Sequence, residues 1–369
     1  MKKQLLTSTA LVAAAGAFAF TGTAVAQKAS KPTISISGGT EQIFGFADND
    51  HPSNYSGSGN GFDQQTDSEI HFNGATTLDN GINIRYRIEL EGNTSSDQID
   101  EHWMRISGSF GQITLGSQDG ASQIMVTGYQ GSWSAGVGQN LSFDVADWIE
   151  VPTGFTGGLN VQRVTLDGDA EKISYFTPRF AGFQLGASYV PSADDDANTS
   201  PGDRDSTAHD QYQVAANYVG KFGDVGLGAA IGYAQGKQSD SGLDDEDVWG
   251  LGVRVDFAGF RVGVGYVDKE EELTTNGTTR ETTAYDLGAR YTFGPNAISV
   301  TYQNVTEDNG ATTNSDTELE QAMISFRRTL GPGVNWTLNG MYADYTGRTV
   351  GESDDNGGYA LTTSIKVRF

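Results

Sequence analysis

The amino-acid sequence predicts an all-β protein, a transmembrane barrel of sixteen antiparallel strands. Segments with alternating apolar and polar residues recur from Thr33 onward, their connections alternate between short turns and long polar loops, and the chain ends on an aromatic residue, Phe369. After the first 26 residues, no stretch approaches the ~18–20 uninterrupted apolar residues of a membrane-spanning helix. Strands that cross lipid must close into a barrel, because an open edge would leave backbone groups unpaired in hydrocarbon.

The first 26 residues are predicted to be an export signal that is removed from the mature chain. Lys2 and Lys3 form a basic start, residues 5–20 an apolar core, and residues 24–26 a small-residue cleavage site, Ala-Val-Ala. The barrel then comprises residues 27–369. Its formal charge changes from −24 to about −26, because the removed segment holds two lysines and no acidic residue. So acidic a chain is not suited to binding nucleic acid.

The composition suits many short strands joined by turns. The chain has 49 glycines, 18 phenylalanines, 15 tyrosines, eight prolines and no cysteine, which excludes disulfides. A parallel α/β protein would show helical periods between its strands, and none of useful length is present.

Residues 82–91 show the strand pattern most clearly. Ile82, Ile84, Tyr86, Ile88 and Leu90 share one parity, and polar residues occupy the other, as expected for a strand with one apolar and one polar face. The same alternation recurs along the chain. It predicts strands at residues 33–47, 67–77, 82–92, 99–109, 112–118, 171–179, 182–190, 211–221, 224–235, 247–258, 260–268, 284–293, 296–306, 319–330, 333–345 and 358–369.

The connections between these strands are of two kinds, which alternate along the chain. Short turns carry Gly, Pro or Asn, as at residues 78–81, 258–259 and 294–295. The others are longer and polar, and lie at residues 48–66, 93–98, 119–170, 191–210, 236–246, 269–283, 307–318 and 346–357. Membrane barrels show this asymmetry, with short periplasmic turns and longer extracellular loops.

The last predicted strand has to pair with the first to remove the remaining open edge of the sheet. Tyr359, Leu361, Ile365, Val367 and Phe369 all lie on its apolar face. Phe369 is therefore expected to point outward at the periplasmic end, and we predict that it contributes to barrel closure and assembly.

Several of these features together resemble a known family. The export signal, the sixteen predicted strands, residues 104–118 (Met-Arg-Ile-Ser-Gly-Ser-Phe-Gly-Gln-Ile-Thr-Leu-Gly-Ser-Gln) and terminal Phe369 are similar to the Gram-negative general diffusion porins, most closely their alphaproteobacterial branch. The resemblance covers essentially the whole mature chain. It implies a homotrimer in the outer membrane, multi-pass, each barrel being a water-filled channel for passive diffusion of small hydrophilic solutes and ions. It also implies that the third long loop folds inward.

Residues 119–170 are the candidate constriction loop. A connection of 52 residues is far longer than usual and is either functional or disordered. This one carries enough apolar residues, Trp133 and Trp148 among them, to pack against the barrel. By the resemblance, its carboxylates at the constriction are expected to be Asp144, Asp147 and Glu150.

The opposite charges at the constriction are expected from the barrel wall. If Ile84, Tyr86 and Ile88 face lipid, the intervening arginines must face the lumen, and the same parity directs an arginine of the next strand inward. In the resembling family, arginines on early strands face the loop carboxylates across the pore. Such a transverse field orients polar solutes. The resemblance carries this role to Arg85, Arg87 and Arg105.

Other functions remain open beside general diffusion. A substrate-selective porin is the main alternative, although sugar channels carry a stripe of lumen-facing aromatics and most Tyr and Phe here are predicted to face outward. A barrel enzyme or an adhesin is also considered. The four histidines are scattered, and neither H-E-x-x-H nor G-x-S-x-G occurs, so no enzyme activity and no cofactor are expected.

Acidic clusters fall in several predicted loops, at residues 194–196, 244–247, 270–272 and 354–355. Calcium prefers such oxygen ligands, but none of the clusters has the spacing of an EF-hand. The favoured interpretation is that these loops face solvent or lipopolysaccharide, with calcium binding as the alternative.

Overall fold

The computed structural model describes residues 29–50, 60–93, 98–152, 163–193, 208–238, 243, 245–274, 278–308, 310, 316–347 and 355–369. The predicted export signal, residues 1–26, lies outside this part of the chain. Sixteen strands form one closed antiparallel barrel, in which each strand pairs with its neighbours in sequence and the first pairs with the last. The all-β barrel prediction is confirmed.

Every predicted strand is present, in the predicted order. The strands are β1 (Thr33–Asn49), β2 (Gly61–Thr77), β3 (Asn83–Glu91), β4 (Ile99–Gly108), β5 (Gly111–Ser117), β6 (Glu171–Phe176), β7 (Phe183–Ser192), β8 (His209–Phe222), β9 (Val225–Lys237), β10 (Glu246–Phe257), β11 (Phe260–Thr274), β12 (Thr278–Phe293), β13 (Asn296–Asp308), β14 (Thr317–Gly331), β15 (Val334–Gly347) and β16 (Asn356–Arg368).

In the described part of the chain, the helices lie in the connection between β5 and β6. They are α1 (Ala121–Val126), a 3₁₀ turn (Thr127–Tyr129) and α2 (Gly131–Ala135). Among the described residues, no helix has the length and apolar character needed to cross a bilayer.

The two faces of the barrel wall have opposite chemistry. On β13, the Ile298 side chain is 40% exposed on the outer face, whereas the neighbouring Ser299 is 3% exposed on the inner face. Aromatic rings also stack on the outside near the strand ends, as where the Phe260 and Tyr291 centroids lie 4.4 Å apart. An apolar outer band with aromatic residues at its rim is the surface that a barrel presents to lipid.

The tight turns gather at one end of the barrel, which we call the short-turn end, and the other is the long-loop end. Ala258 and Gly259 both have positive φ angles, 49° and 86°, as a two-residue hairpin requires for its twist to match that of the flanking strands. Ala181 and Gly182 repeat this geometry. The start of β1 and the end of β16 also lie at the short-turn end.

The largest difference from the predicted connections concerns residues 269–283. The prediction of a long loop there is wrong, because β11 continues to Thr274 and β12 begins at Thr278. Inward-facing charges on these strands pair with one another: Glu271 carboxylate oxygens lie 3.1 Å from Lys269 Nζ and 2.8 Å from Arg280 Nη1. Both faces of these strands are polar here, since Glu270 and Glu281 are also paired on the outward face, and this is why the sequence resembles a loop.

The same difference affects the acidic clusters. Residues 270–272 lie on β11 and not in a loop, so they do not form the predicted loop cluster for calcium. Residues 246 and 247 begin β10. Residues 194–196, 244 and 354 lie outside the described residues, and calcium binding there stays a prediction.

The barrel closes between β1 and β16. Gly38 and Phe369 exchange two backbone hydrogen bonds, each of 3.1 Å, in which each N–H donates to the other residue's carbonyl oxygen. The Phe369 side chain is 66% exposed. The terminal residue thus completes the last pair of the ladder and leaves its ring at the rim of the barrel.

Deleting Phe369 should reduce the amount of protein inserted into the outer membrane much more than the conductance of each inserted channel. The deletion removes the final ladder pair while leaving the lumen untouched. Insertion can be quantified by heat-modifiable migration in membrane fractions, and conductance in planar bilayers. Phe222→Ala is the matched control, because this ring is similarly exposed near another strand end. Normal insertion of the deletion variant would contradict the prediction.

Candidate pore constriction

The two ends of the β5–β6 segment (residues 119–170, described at 119–152 and 163–170) are held together by one lysine of β6. Lys172 Nζ lies 2.7 Å from Asp167 Oδ2, and both side chains are fully buried. The same ammonium donates to the carbonyl oxygens of Gln118 and Gly168. Asp167 Oδ1 also accepts a 2.5 Å hydrogen bond from Gln213 Nε2 of β8. The base of the segment is therefore fixed to the wall.

Helix α2 docks on the inner face of β12. The backbone N–H and the hydroxyl of Ser132 both donate to Asp286 Oδ2, over 2.5 Å and 2.9 Å. The helix approaches so closely that a Cβ atom at Gly288 would clash with the Gly131 carbonyl oxygen. Glycine at position 288 thus makes room for the backbone of the segment.

The segment then continues along the remaining wall towards β1. Thr362 Oγ1 of β16 donates to Gln139 Oε1 over 2.8 Å, and the Tyr345 hydroxyl of β15 donates to the Ile149 carbonyl oxygen over 3.3 Å. Apolar side chains bury this stretch against the wall; on the segment they are Leu141, Val145, Trp148 and Ile149. All these wall partners have the parity of the polar inner face, so the β5–β6 segment lies against the inside of the barrel.

The three predicted arginines lie together on β3 and β4. Arg85 and Arg105 are directly opposite each other in the strand register. The guanidinium carbon of Arg105 lies 4.4 Å from the centroid of the Trp103 ring, and that of Arg87 lies 5.6 Å from it. Arg105 Nη2 also donates to Gln118 Oε1 over 3.4 Å, at the start of the β5–β6 segment. We call Arg85, Arg87 and Arg105 the arginine wall.

Carboxylates follow the arginine wall on the same strands, toward the long-loop end. Arg87 Nη1 lies 2.9 Å from Glu89 Oε1, and Trp103 Nε1 donates to Glu101 Oε2 over 3.1 Å. Glu89 and Glu101 are not among the predicted site residues. The signal was present, because both residues share the inward parity of the arginines on their strands.

The predicted acids of the β5–β6 segment lie along β1 and β2. The Asp147 carbonyl oxygen accepts from Gln65 Nε2 over 2.9 Å, and the Glu150 N–H donates to Asn49 Oδ1 over 2.9 Å. Asp144 lies in the same stretch, close enough to Glu41 of β1 and Asp67 of β2 to interact with their charges. The ion pair of Arg87 is made with Glu89 of its own strand. The apolar residues at positions 141, 145 and 149 decide which side of the segment meets the wall, and this rotation sets where the acids point. Their role at the constriction stays a prediction.

The environment of Asp144 disfavours its charged form. Burial raises the pKa of this carboxyl to about 7, and the nearby carboxylates of Asp147, Glu41 and Asp67 raise it further. The Asn140 N–H, which donates to Asp144 Oδ2 over 2.5 Å, offsets part of the increase. Asp144 therefore carries a proton over much of the pH range in which an ordinary aspartate is ionised.

A closed barrel with an apolar exterior, a polar lumen and a long segment against its inner wall is the architecture of channels of the bacterial outer membrane. The family described as Gram-negative porin matches residues 8–349 of this chain. The chain belongs to the Gram-negative porins. This places the porin in the outer membrane of a Gram-negative bacterium as a multi-pass barrel, whereas its placement in the alphaproteobacterial branch remains a prediction.

Individual relatives are distant. The major outer membrane protein of Pasteurella multocida is 27% identical over 187 residues, which cover 50% of this porin and 45% of that relative. The anion-selective porin from Comamonas acidovorans superposes with a TM-score of 0.66 at 16% identity, covering 92% of this chain and 100% of that one. OmpT of Vibrio cholerae in a trimer form superposes with a TM-score of 0.63 at 14% identity, covering 92% of this chain and 100% of that one. At these identities the solved structures show a shared fold.

Lys172→Met should loosen the β5–β6 segment. The substitution leaves the buried Asp167 carboxylate without its cation, and removing one partner of a buried pair is destabilising by about 3–5 kcal/mol. Limited proteolysis of the folded porin in detergent should then cut within the segment faster than in the wild type. In the double variant Lys172→Met/Asp167→Asn, which removes both charges, much of the protection should return. Equal cleavage of Lys172→Met and wild type would show that the pair does not hold the segment.

The packing of Asp144 should depend on pH. The pKa of this carboxyl is about 7 in the folded porin against 3.8 for an ordinary aspartate, so the folded state binds the proton more tightly. The contribution of Asp144 to the free energy of unfolding is therefore fully present below about pH 4 and is lost as the pH rises towards 7. The difference in melting temperature between Asp144→Asn and wild type should grow over this range. Asp224→Asn is the control, because that side chain is exposed in a short turn. A difference that stays constant between pH 4 and pH 8 would contradict the assignment.

Proposed function

We propose that this porin is a water-filled channel for passive diffusion of small hydrophilic solutes and ions, narrowed by the β5–β6 segment. The observation that carries the proposal is the path of this segment. Its helices contact β6 to β13, and the stretch after them contacts β15, β16, β1 and β2. In the described part of the segment this leaves the arginine wall of β3 and β4 as the facing surface. Solutes would pass between the segment and the arginine wall.

The chemistry of the inner face supports general diffusion over a sugar-selective channel. Aromatic residues with inward parity are covered where the segment packs on them, as for the buried Tyr345 and Phe176. Trp103 is held between two guanidinium groups. Such a lining favours hydrated, polar solutes, because an apolar solute would have to displace ordered water from charged groups. In this proposal the porin is a channel and not an enzyme.

We also propose that three copies assemble into a homotrimer, each with its own pore. The apolar outer face offers a surface that either lipid or another copy can cover, and the similar OmpT fold occurs in a trimer form. Lipopolysaccharide is the proposed partner of the acidic long-loop end.

Planar-bilayer recordings test the channel directly. Purified wild-type porin should give discrete conductance steps in concentrated salt, because an open lumen conducts whereas a filled barrel does not. Co-reconstitution with neutral sugars of increasing size should show a graded exclusion limit rather than saturable block. The absence of any steps would remove the channel proposal, and saturable block by one sugar would favour the substrate-selective alternative.

The double variant Arg85→Gln/Arg105→Gln should shift the reversal potential in a salt gradient towards cation selectivity. Two positive charges would leave the facing surface of the passage, so anions lose local attraction. Arg328→Gln is the matched control, because Arg328 shares the outward parity of Ile324 and Phe326 on β14. If the double variant conducts with an unchanged reversal potential, the channel proposal stands but the arginine wall does not line its narrow part.

A further inference from the structure

A mixed group of one imidazole and two carboxylates lies on the inner face of β2 and β3. His71 Nε2 is 2.9 Å from Glu69 Oε2 and 3.3 Å from Glu89 Oε2. His71 and Glu89 are directly opposite in the strand register, and Glu69 lies two residues from His71 on the same face. The paired strands therefore bring the three side chains together.

The three ligand atoms have the spacing of a metal site. They all lie within 4.8 Å of one another. A tetrahedral Zn²⁺ with bonds of about 2.0–2.2 Å holds its ligand atoms about 3.3–3.6 Å apart, so only small side-chain shifts separate the observed group from a coordinating one. One nitrogen and two oxygens suit Zn²⁺, Cu²⁺ or Ni²⁺ better than Ca²⁺ or Mg²⁺, which take oxygen ligands.

The neighbouring residues orient this group from outside. The two oxygens of Glu89 have different partners, since Oε1 lies 2.9 Å from Arg87 Nη1 while Oε2 faces His71. Arg87 is itself fixed, because its Nε donates to Asn73 Oδ1 over 2.9 Å. Outer hydrogen bonds of this kind orient metal-ligating carboxylates in known sites.

The group is accessible from the lumen on one side. The side chains of Glu89 and His71 are 9% and 17% exposed, whereas that of Glu69 is 38% exposed. A cavity of about 430 Å³ adjoins the group and is lined by Glu69, His71 and Arg87 among others. Lys366, which also lines the cavity, is paired with Glu41 and Asp67 at 3.0 Å and 3.1 Å. Three protein ligands and an open side leave a coordination position for water.

We propose that His71, Glu69 and Glu89 bind a divalent transition-metal ion, with Zn²⁺ as the best match, on the wall of the lumen. A bound dication neutralises the two carboxylates that adjoin the arginine wall. The wall then presents net positive charge at this level, so occupancy changes which ions the lumen attracts. The alternative is that His71 only forms an ordinary ion pair with the two glutamates.

Isothermal titration of ZnCl₂ into the folded, untagged porin in detergent tests the site. Wild-type porin should bind one Zn²⁺ per chain, and His71→Ala should weaken binding at least tenfold. His102→Ala is the matched control, because His102 lies on β4 opposite outward-facing Ile88. The affinity of this variant for Zn²⁺ should equal that of the wild type. An equal concentration of CaCl₂ should not displace Zn²⁺. Wild-type affinity in His71→Ala, or no binding by the wild type, would overturn the proposal in favour of the ion pair.

A second variant, Glu69→Gln, tests the site independently of whether His71→Ala folds. Glu69→Gln changes the most exposed ligand and should also weaken Zn²⁺ binding, while heat-modifiable migration reports that the barrel is intact. In bilayers, ZnCl₂ should shift the reversal potential of the wild type towards anions and leave that of Glu69→Gln unchanged. The titration in detergent does not depend on the channel, so loss of binding and loss of conductance are separate outcomes. Zn²⁺ binding by Glu69→Gln with wild-type affinity would remove Glu69 from the site.

Discussion

The need to pair every backbone N–H and C=O group within the protein governs this structure. Lipid offers no hydrogen-bond partner, so a sheet at membrane depth has no tolerable edge. β1 and β16 pair with each other and so remove the last edge, and the final pair of this ladder is Gly38 with Phe369. Closure then determines on which face each kind of side chain lies. The outer face meets lipid and must be apolar, so the polar residues lie on the inner face. A charged lumen is therefore a consequence of the same constraint as the barrel.

A barrel of sixteen strands encloses more space than its own side chains fill, and the β5–β6 segment occupies part of it. The segment is held by contacts of three kinds: the buried Lys172–Asp167 pair at its base, hydrogen bonds from α2 to Asp286, and apolar packing further along. These contacts run from β6 around the barrel to β1 and β2, so the described part of the segment leaves the inner face of β3 and β4 uncovered. The proposed passage and the proposed metal site both border on that space.

Much of the barrel followed from the sequence because a strand has a period of two and its outer face must be apolar. The same parity placed Arg85, Arg87 and Arg105 on one wall. It failed at residues 269–283, where the outward positions, such as Glu270 and Glu281, are polar as well and no apolar face marks the strands. The acids of the β5–β6 segment were harder to place, because an irregular segment has no period and its rotation is set by burial of residues such as Val145 and Ile149. Glu89 and Glu101 needed only the parity argument to be extended along strands already assigned.

The order of charges along β3 gives the porin a direction. Arg85 and Arg87 lie nearer the short-turn end and Glu89 and Glu91 nearer the long-loop end, all with the same parity. The fixed charge of this wall thus forms a dipole parallel to the pore axis, in addition to any field across it. An ion driven one way meets attraction before repulsion, and in the reverse direction meets them in the opposite order. The charges of this wall therefore present different electrostatic profiles to ions that enter from the two ends.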